Sequence, residues 1–397
     1  MQTKIADVVR RIRPSVIRDM ALRAEKLDHV ISLGIGEPDF HTAPEISRLA
    51  LQDAESGYTH YTPSKGYGDL VEALCEYLNR YFGHGVSPEQ IAVTSGGMGA
   101  LTAYFRVVLN PGDEVLVPEP YFPSYRPQIE WAGGQLVPVP TSFEQGFVLT
   151  PEAVERAITT RTKVLMINSP HNPTGLITPP EILDDLARLA EEKDLLVLSD
   201  EVYDRLVFDG RRHDSIFHRP GMRERTTVLG SFSKSFAMTG WRLGYAFGPE
   251  WLIKEMVKVL AHYTSCPPSV SQRAGLAALR QDASLVDAMA AEFQTRRDLL
   301  YEKLCHFPGV KIHKPTGAFY AFPNLEAITD NTEQFALDLL YEEQVVVIPG
   351  GAFGASGQKC VRMAFTVDCD RLTEALDRFS RFITKQMERK KLRRTGA

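Results

Sequence analysis

Seven short apolar runs punctuate the middle of this chain, at 91–94, 114–117, 135–139, 163–167, 195–198, 226–229 and 243–247. Each is too short for a helix, and helical patterns separate some of them. Uninterrupted apolar strands are buried on both faces, and strands alternating with helices predict an α/β fold built on a mainly parallel seven-stranded sheet. From about residue 269 the pattern turns helical, and 284–307 reads as one long helix. A mixed α+β region follows, with strands expected near 310–313, 318–322, 345–348 and 360–365. The expected division is a large domain over 46–284 and a smaller one made of 1–45 together with 285–397.

In sheets of this kind a ligand sits beyond the carboxyl ends of the strands. Polar residues gather at those ends. After 91–94 comes Ser95-Gly96-Gly97-Met98-Gly99-Ala100, opening a helix whose first N–H groups suit a phosphate. Pro118-Glu119-Pro120-Tyr121-Phe122-Pro123 sets aromatics at the next end, and Asn-Ser-Pro-His-Asn-Pro-Thr-Gly at 168–175 follows another. Ser199-Asp200-Glu201-Val202-Tyr203 ends a buried strand in an acid, which is either a helix N-cap or a functional carboxylate. Between the last two runs lie Ser231, Ser233, Lys234, Thr239, Gly240 and Arg242. An ammonium between buried strands is costly unless paired or chemically used, and a partly buried lysine suits Schiff-base chemistry. Arg242 is a permanent cation able to grip a phosphate with two bonds.

The N-terminal part is plainer. Residues 3–27 read as helical, 46–56 and 68–81 as further helices, and 58–66 as a loop. Gly34-Ile35-Gly36-Glu37-Pro38-Asp39 is a loop in which backbone can approach a ligand closely.

Composition excludes several classes. The chain has 397 residues with a net charge of −5, so no global field favours nucleic acid. Five cysteines, an odd number with no C-x-x-C, argue against a disulfide framework or a zinc site and fit a reducing cytoplasm. No metal is expected. No N-terminal apolar region marks a signal peptide, and no run of uncharged apolar residues is long enough to span a membrane. The basic run at 388–394 reads as a solvated helix end.

Asn-Pro-Thr-Gly at 172–175, Asp-x-x-Tyr at 200–203, Ser-x-x-Lys at 231–234 and Arg242 together resemble the class I aminotransferases, enzymes of the fold type I pyridoxal 5'-phosphate (PLP) group. The resemblance extends from the loop at 34–40 to Arg362, and the wording around Lys234 is similar to prokaryotic aspartate aminotransferases and kynurenine–glutamine transaminases. It implies transfer of an amino group from an α-amino acid, aspartate or another common one, to an α-keto acid by ping-pong turnover. It also implies that the strand at 242–247 runs antiparallel. Lys234 would bind PLP covalently and shuttle a proton. Asp200 would pair with the ring nitrogen, Asn172 and Tyr203 with the ring's phenolic oxygen, and Phe122 would stack on the ring. Gly97 and Met98, through backbone N–H groups, with Ser231 and Arg242 would hold the phosphate. Tyr61 would reach the phosphate of a neighbouring subunit, which implies a homodimer. Arg362, with Gly36 and Asn172 beside it, would clamp the substrate's α-carboxylate. Lys65, Arg126 and Arg273 are candidates for a second, side-chain-reading cation, with no motif behind them.

Three alternatives stand beside this reading. A β-lyase or synthase would use the same cofactor and fold. A nucleotide-binding oxidoreductase would need G-x-G-x-x-G, and 95–99 does not fit that spacing. A binding module that has lost its lysine is opposed by Lys234.

Overall fold

The apolar runs become strands, but most of them continue past their last apolar residue. The structure is a computed structural model that describes residues 4–12 and 14–395, with side chains described as far as Lys390. The basic run at 388–394 therefore lies partly outside the described residues. The strands are β1 (Ile31–Ser32), β2 (Ile91–Thr94), β3 (Glu114–Glu119), β4 (Gln135–Pro140), β5 (Thr162–Asn168) and β6 (Leu196–Asp200), followed by β7 (Thr226–Ser231) and β8 (Gly244–Phe247). Beyond these come β9 (Tyr320–Ala321), β10 (Val345–Val346), β11 (Ile348–Pro349) and β12 (Val361–Ala364).

Seven strands form the central sheet in the order β2-β8-β7-β6-β5-β3-β4. The pairs from β7 through to β4 are parallel, and β8 is antiparallel to both of its neighbours. This is the expected mainly parallel α/β sheet. The reversal of β8 is local in origin. β7 runs straight into the helical turn Phe232–Ser235 and the chain returns beside it without crossing the sheet.

Pairing carries the strands into polar residues. Asn168 pairs with Asp200, Asp200 with Leu229, and Ser231 with Gly244. The ladder's hydrogen bonds continue although side-chain hydrophobicity has ended. Asn168, Asp200 and Ser231 are thus fixed on the sheet's carboxyl edge, not on loose loops.

A second set of contacts joins distant parts of the sequence. β1 pairs in parallel with β10, and β12 lies between β11 and β9. Met20, Ile31 and Leu33 share one apolar cluster with Phe293, Leu300, Leu340, Val346 and Phe379. The long helix is Ser284–Cys305, close to expectation. Two expectations fail in detail. The helix over 3–27 is broken into Asp7–Arg11 and Val16–Ala24, because Pro14 lacks the N–H that would continue it and Ser15 caps the second piece. The strand expected at 310–313 shrinks to one bridge, Lys311 with Asn324. Helix Glu250–Tyr263 was not anticipated.

Behind β6 lies a buried polar knot. Successive strand residues face opposite sides, so Ser199 and Glu201 point away from Asp200. Glu201 accepts hydrogen bonds of 2.6 Å from Ser199, Ser215 and the His213 ring. Burial alone would lower the pKa of His213, but the Glu201 carboxylate outweighs it and holds the value above 6.5. Burial would likewise raise Glu201, and the His213 cation holds it below 4.5. His213's share of stability is full below about 6.5 and is lost as pH climbs through its folded value. Glu201's share is present above about 4.5 and is lost as pH falls through its folded value. The pair stabilises most between those limits. His213→Ala should therefore cost roughly 3–5 kcal/mol, since it strands a buried carboxylate. Thermal unfolding of both proteins should show the widest gap in that window and a narrower one once pH has risen through the folded value of His213.

Candidate active site

The carboxyl edge of the sheet opens into a cavity of about 330 Å³. Its wall includes Gly36, Gly97, Met98, Phe122, Asn172, Asp200, Tyr203, Ser231, Lys234, Arg242 and Arg362. Tyr61 is the exception among the residues to which the resemblance gave a role. It is 89% exposed and lies outside this cavity.

Lys234 sits on the helical turn that follows β7, and its Nζ donates to the Gly36 carbonyl at 2.7 Å. Burial pushes its pKa down to about 8, against the opposing pull of Glu37, with Arg242 and Arg362 lowering it further. Its amine is therefore far easier to deprotonate than an ordinary lysine's. Asp200 ends β6 and accepts a 2.6 Å hydrogen bond from the Tyr125 hydroxyl. Burial raises its pKa to about 6, and the Tyr125 bond works against that rise.

Arg362, on β12, is 1% exposed. Its Nη1 donates to Asn172 Oδ1 at 3.1 Å and its Nη2 to the Gly34 carbonyl at 2.5 Å. The rings of Tyr320 and Phe353 lie 4.7 and 4.9 Å from the guanidinium. Its Nε is buried with no partner, and no acid among the described residues pairs with it. Burial lowers its pKa, but a guanidinium stays charged. A buried, permanent cation with no acid partner among the described residues suits an anion.

Arg242 lies at the opposite chemistry of the wall. Its backbone is left-handed, with φ 52°, and its Nη1 donates to the Thr239 carbonyl at 3.0 Å. A Cβ on Gly96 would stand 2.5 Å from its Nη2, so glycine lets the guanidinium lie against the first turn of helix Gly96–Val108. The free N–H groups of that turn include those of Gly97 and Met98. Ser231 caps the turn carrying Lys234 through a 3.1 Å bond from the Ser233 N–H.

Sequence reasoning missed two tyrosines. Tyr125 gave no signal beyond its place three residues after Phe122. Tyr320 was hidden in an apolar run, yet its hydroxyl lies 2.8 Å from that of Tyr203. A Cβ on Gly36 would stand 1.9 Å from the Tyr320 oxygen, so the glycine at 36 makes room for that ring. Ile17, Ile35, Glu37, Leu101 and Val202 also line the cavity without having been singled out. The candidate second cations do not reach it. Arg273 is paired with Asp53 and Asp69, Arg126 bonds Tyr121 and Glu130, and Lys65 is absent from the wall.

A depressed amine, a buried acid and an unpaired guanidinium around one cavity define an enzyme site for a small anionic molecule. Comparison with known proteins gives the class. Residues 28–379 match the family described as aminotransferase class I and II. The chain is 42% identical to the aspartate/prephenate aminotransferase of Thermus thermophilus over 367 residues, 92% of this chain and 93% of that protein. It is 39% identical to the aromatic-amino-acid aminotransferase 2 of Thermococcus litoralis over 385 residues, 96% of this chain and 99% of that one. The solved structure of Thermus thermophilus aspartate aminotransferase with maleate superposes with a TM-score of 0.90 at 40% identity, covering 95% of this chain and 99% of that one. The chain belongs to the class I and II aminotransferases. It is a PLP-dependent transaminase that moves amino groups between amino acids and keto acids. No helix among the described residues is long and apolar enough to cross a membrane.

The wall fits the cofactor. It offers an amine of lowered pKa, an acid in reach of the same space, and helix N–H groups beside Arg242, donors of the kind a phosphate needs. Tyr125→Phe should leave Asp200 with only the Val202 N–H as donor and raise its pKa above about 6. Isotope-edited infrared titration of the carboxyl stretch would measure the shift.

Proposed function

We propose that Lys234, Asp200 and Arg362 divide the transamination chemistry among themselves in this one cavity. The observation that carries the reading is the buried guanidinium of Arg362, without an acid partner, on the same wall as the amine and the acid. Bound here, PLP supplies an electron-withdrawing ring that eases loss of the proton from an amino acid's Cα. Lys234 would hold the cofactor through Nζ and, as a free amine, hold and move that proton. Asp200, ionised above its raised pKa, would keep the ring nitrogen protonated. Gly97, Met98, Ser231 and Arg242 would hold the phosphate. Asn172 and Tyr203 would orient the ring oxygen, and Phe122 would offer an aromatic face. Arg362, a buried cation on the cavity wall with no acid partner among the described residues, would bind the α-carboxylate, which supports α-amino and α-keto acids as the substrates.

A second copy would complete the site, with the partner subunit's Tyr61 reaching the phosphate. The exposure of this tyrosine supports that arrangement. The pairing of β1 with β10 and the shared cluster around Met20 and Val346 support a small domain of 1–45 with 285–397, beside a large domain over 46–284. The free thiols of Cys75, Cys266, Cys305, Cys360 and Cys369 support a cytoplasmic setting.

Borohydride treatment of the holoprotein should fix a pyridoxyl group on Lys234. Peptide mapping that found it on another lysine would overturn the assignment. Arg362→Lys should lower kcat/KM for every amino acid by a similar factor, because lysine cannot copy a two-bond grip. The loss should be about one to two decades, from roughly 1.5–3 kcal/mol of charge-assisted bonding. The absorption spectrum of bound PLP should change little.

A further inference from the structure

Tyr320 shares the cavity wall with Lys234, Asp200, Tyr203 and Arg362, yet the division of tasks above leaves it without one. Packing alone does not account for it. Its neighbours Phe319 and Phe322 fill the same apolar cluster without a polar side-chain atom, whereas Tyr320 is 2% exposed and takes a hydroxyl out of water. Such a group costs stability unless it is bonded. Among the described residues its oxygen has one hydrogen-bond partner, the Tyr203 hydroxyl at 2.8 Å. Room is kept for that oxygen, because a Cβ on Gly36 would overlap it.

The backbone fixes where this side chain stands. The Thr316 and Gly317 N–H groups donate to the Gly175 carbonyl at 2.8 and 2.9 Å, and the Ala318 N–H donates to the Leu206 carbonyl at 2.8 Å. These bonds tie the approach to β9 to the turn after β5 and to the segment that follows Tyr203. Tyr320 then pairs with Ala364, so Arg362, two residues away on β12, is its diagonal neighbour on the same face. The guanidinium lies 4.7 Å from the Tyr320 ring centre. One side chain thus touches both Arg362 and Tyr203.

The bond between the two hydroxyls has a direction. Each tyrosine carries one hydroxyl hydrogen and an oxygen that can accept. If Tyr203 donates to Tyr320, it has no hydrogen left for a cofactor. If Tyr320 donates, the Tyr203 hydrogen is free to point into the cavity. Burial raises the pKa of both hydroxyls and Asp200 adds to the rise, so both keep their hydrogens near neutral pH. At Tyr320 the Arg362 cation is the main opposing influence, while Tyr203 is held well above its ordinary value. The cation makes Tyr320 the better donor of the two, and hydrogen bonds in a chain polarise one another.

We propose that Tyr320 is a positioning residue: its hydroxyl donates to the Tyr203 oxygen and turns the Tyr203 hydrogen toward the cofactor's ring oxygen, while its ring braces Arg362. The proposal rests on the roles given above to Tyr203 and Arg362.

The test follows the visible absorbance of the bound cofactor against pH in the holoenzyme, without turnover. A donor to the ring oxygen favours its anionic form, so weaker donation moves the spectral midpoint to higher pH. Tyr203→Phe should raise the midpoint by about 1 or more, and Tyr320→Phe by about 0.3–0.5. With Tyr203→Phe already present, Tyr320→Phe should add nothing, because it acts through Tyr203. Tyr320→Phe keeps the ring over Arg362, so the dissociation constant of propionate, read from the same spectrum, should stay within about twofold of wild type. Tyr320→Leu removes the ring and should weaken propionate about fivefold. A midpoint that Tyr320→Phe leaves unmoved, or moves equally with and without Tyr203, overturns the role of the hydroxyl. Equal propionate binding by the two Tyr320 variants overturns the brace. If Tyr203→Phe itself leaves the midpoint unmoved, the role of Tyr203 has failed and that of Tyr320 falls with it, while the borohydride label on Lys234 shows whether the cofactor assignment stands.

Discussion

Burying a guanidinium without a counter-charge is the constraint around which this site is built. Removing Arg362 from water costs several kcal/mol that no acid among the described residues returns. The fold offsets part of it with a backbone carbonyl from Gly34, an amide oxygen from Asn172 and two aromatic faces. Those partners come from the N-terminal loop, the turn after β5 and the C-terminal region. Holding one cation thus forces three distant segments into register, and the register leaves the buried Nε without a partner.

The other two ionisable groups are tuned in opposite directions by one cause. Burial makes charge expensive, so it lowers Lys234 and raises Asp200. Tyr125 restrains the rise of Asp200, which keeps the acid available as an anion near neutral pH. Groups pushed toward neutrality from both sides, in one cleft, are what acid–base chemistry requires. The second acid of the strand end, Glu201, faces the other way and is satisfied by His213 and two serines. Two adjacent carboxylates thereby have different fates because strand residues alternate.

Much of this was legible in the sequence. The strand pattern announced the sheet, and the polar residues at strand ends supplied Asp200, Lys234 and Arg242, three of the five charged residues on the cavity wall. What stayed hidden was set by tertiary contact. Tyr320 looks like core in any one-dimensional reading, and only the fold brings its hydroxyl to Tyr203 and against Gly36. Tyr125 becomes meaningful only once Asp200 is known to be buried beside it. Strand ends were set too early because hydrophobicity stops before hydrogen bonding does. Arg273 could not be dismissed before Asp53 and Asp69 were seen to occupy it.

The pairing of β1 with β10 has a consequence for how the protein is made. Ile31 and Leu33 leave the ribosome early, but the backbone they bond lies at Gln344 and Val346. Gly34 waits longer still for Arg362, 328 residues further on. During synthesis the first part of the chain must stay apart while the central sheet assembles, with its apolar residues uncovered for most of translation. Contacts of such separation fold slowly and leave surfaces open to misassociation. The segment that bonds Arg362 is therefore made long before its partners, and it is the part of the nascent chain most in need of protection.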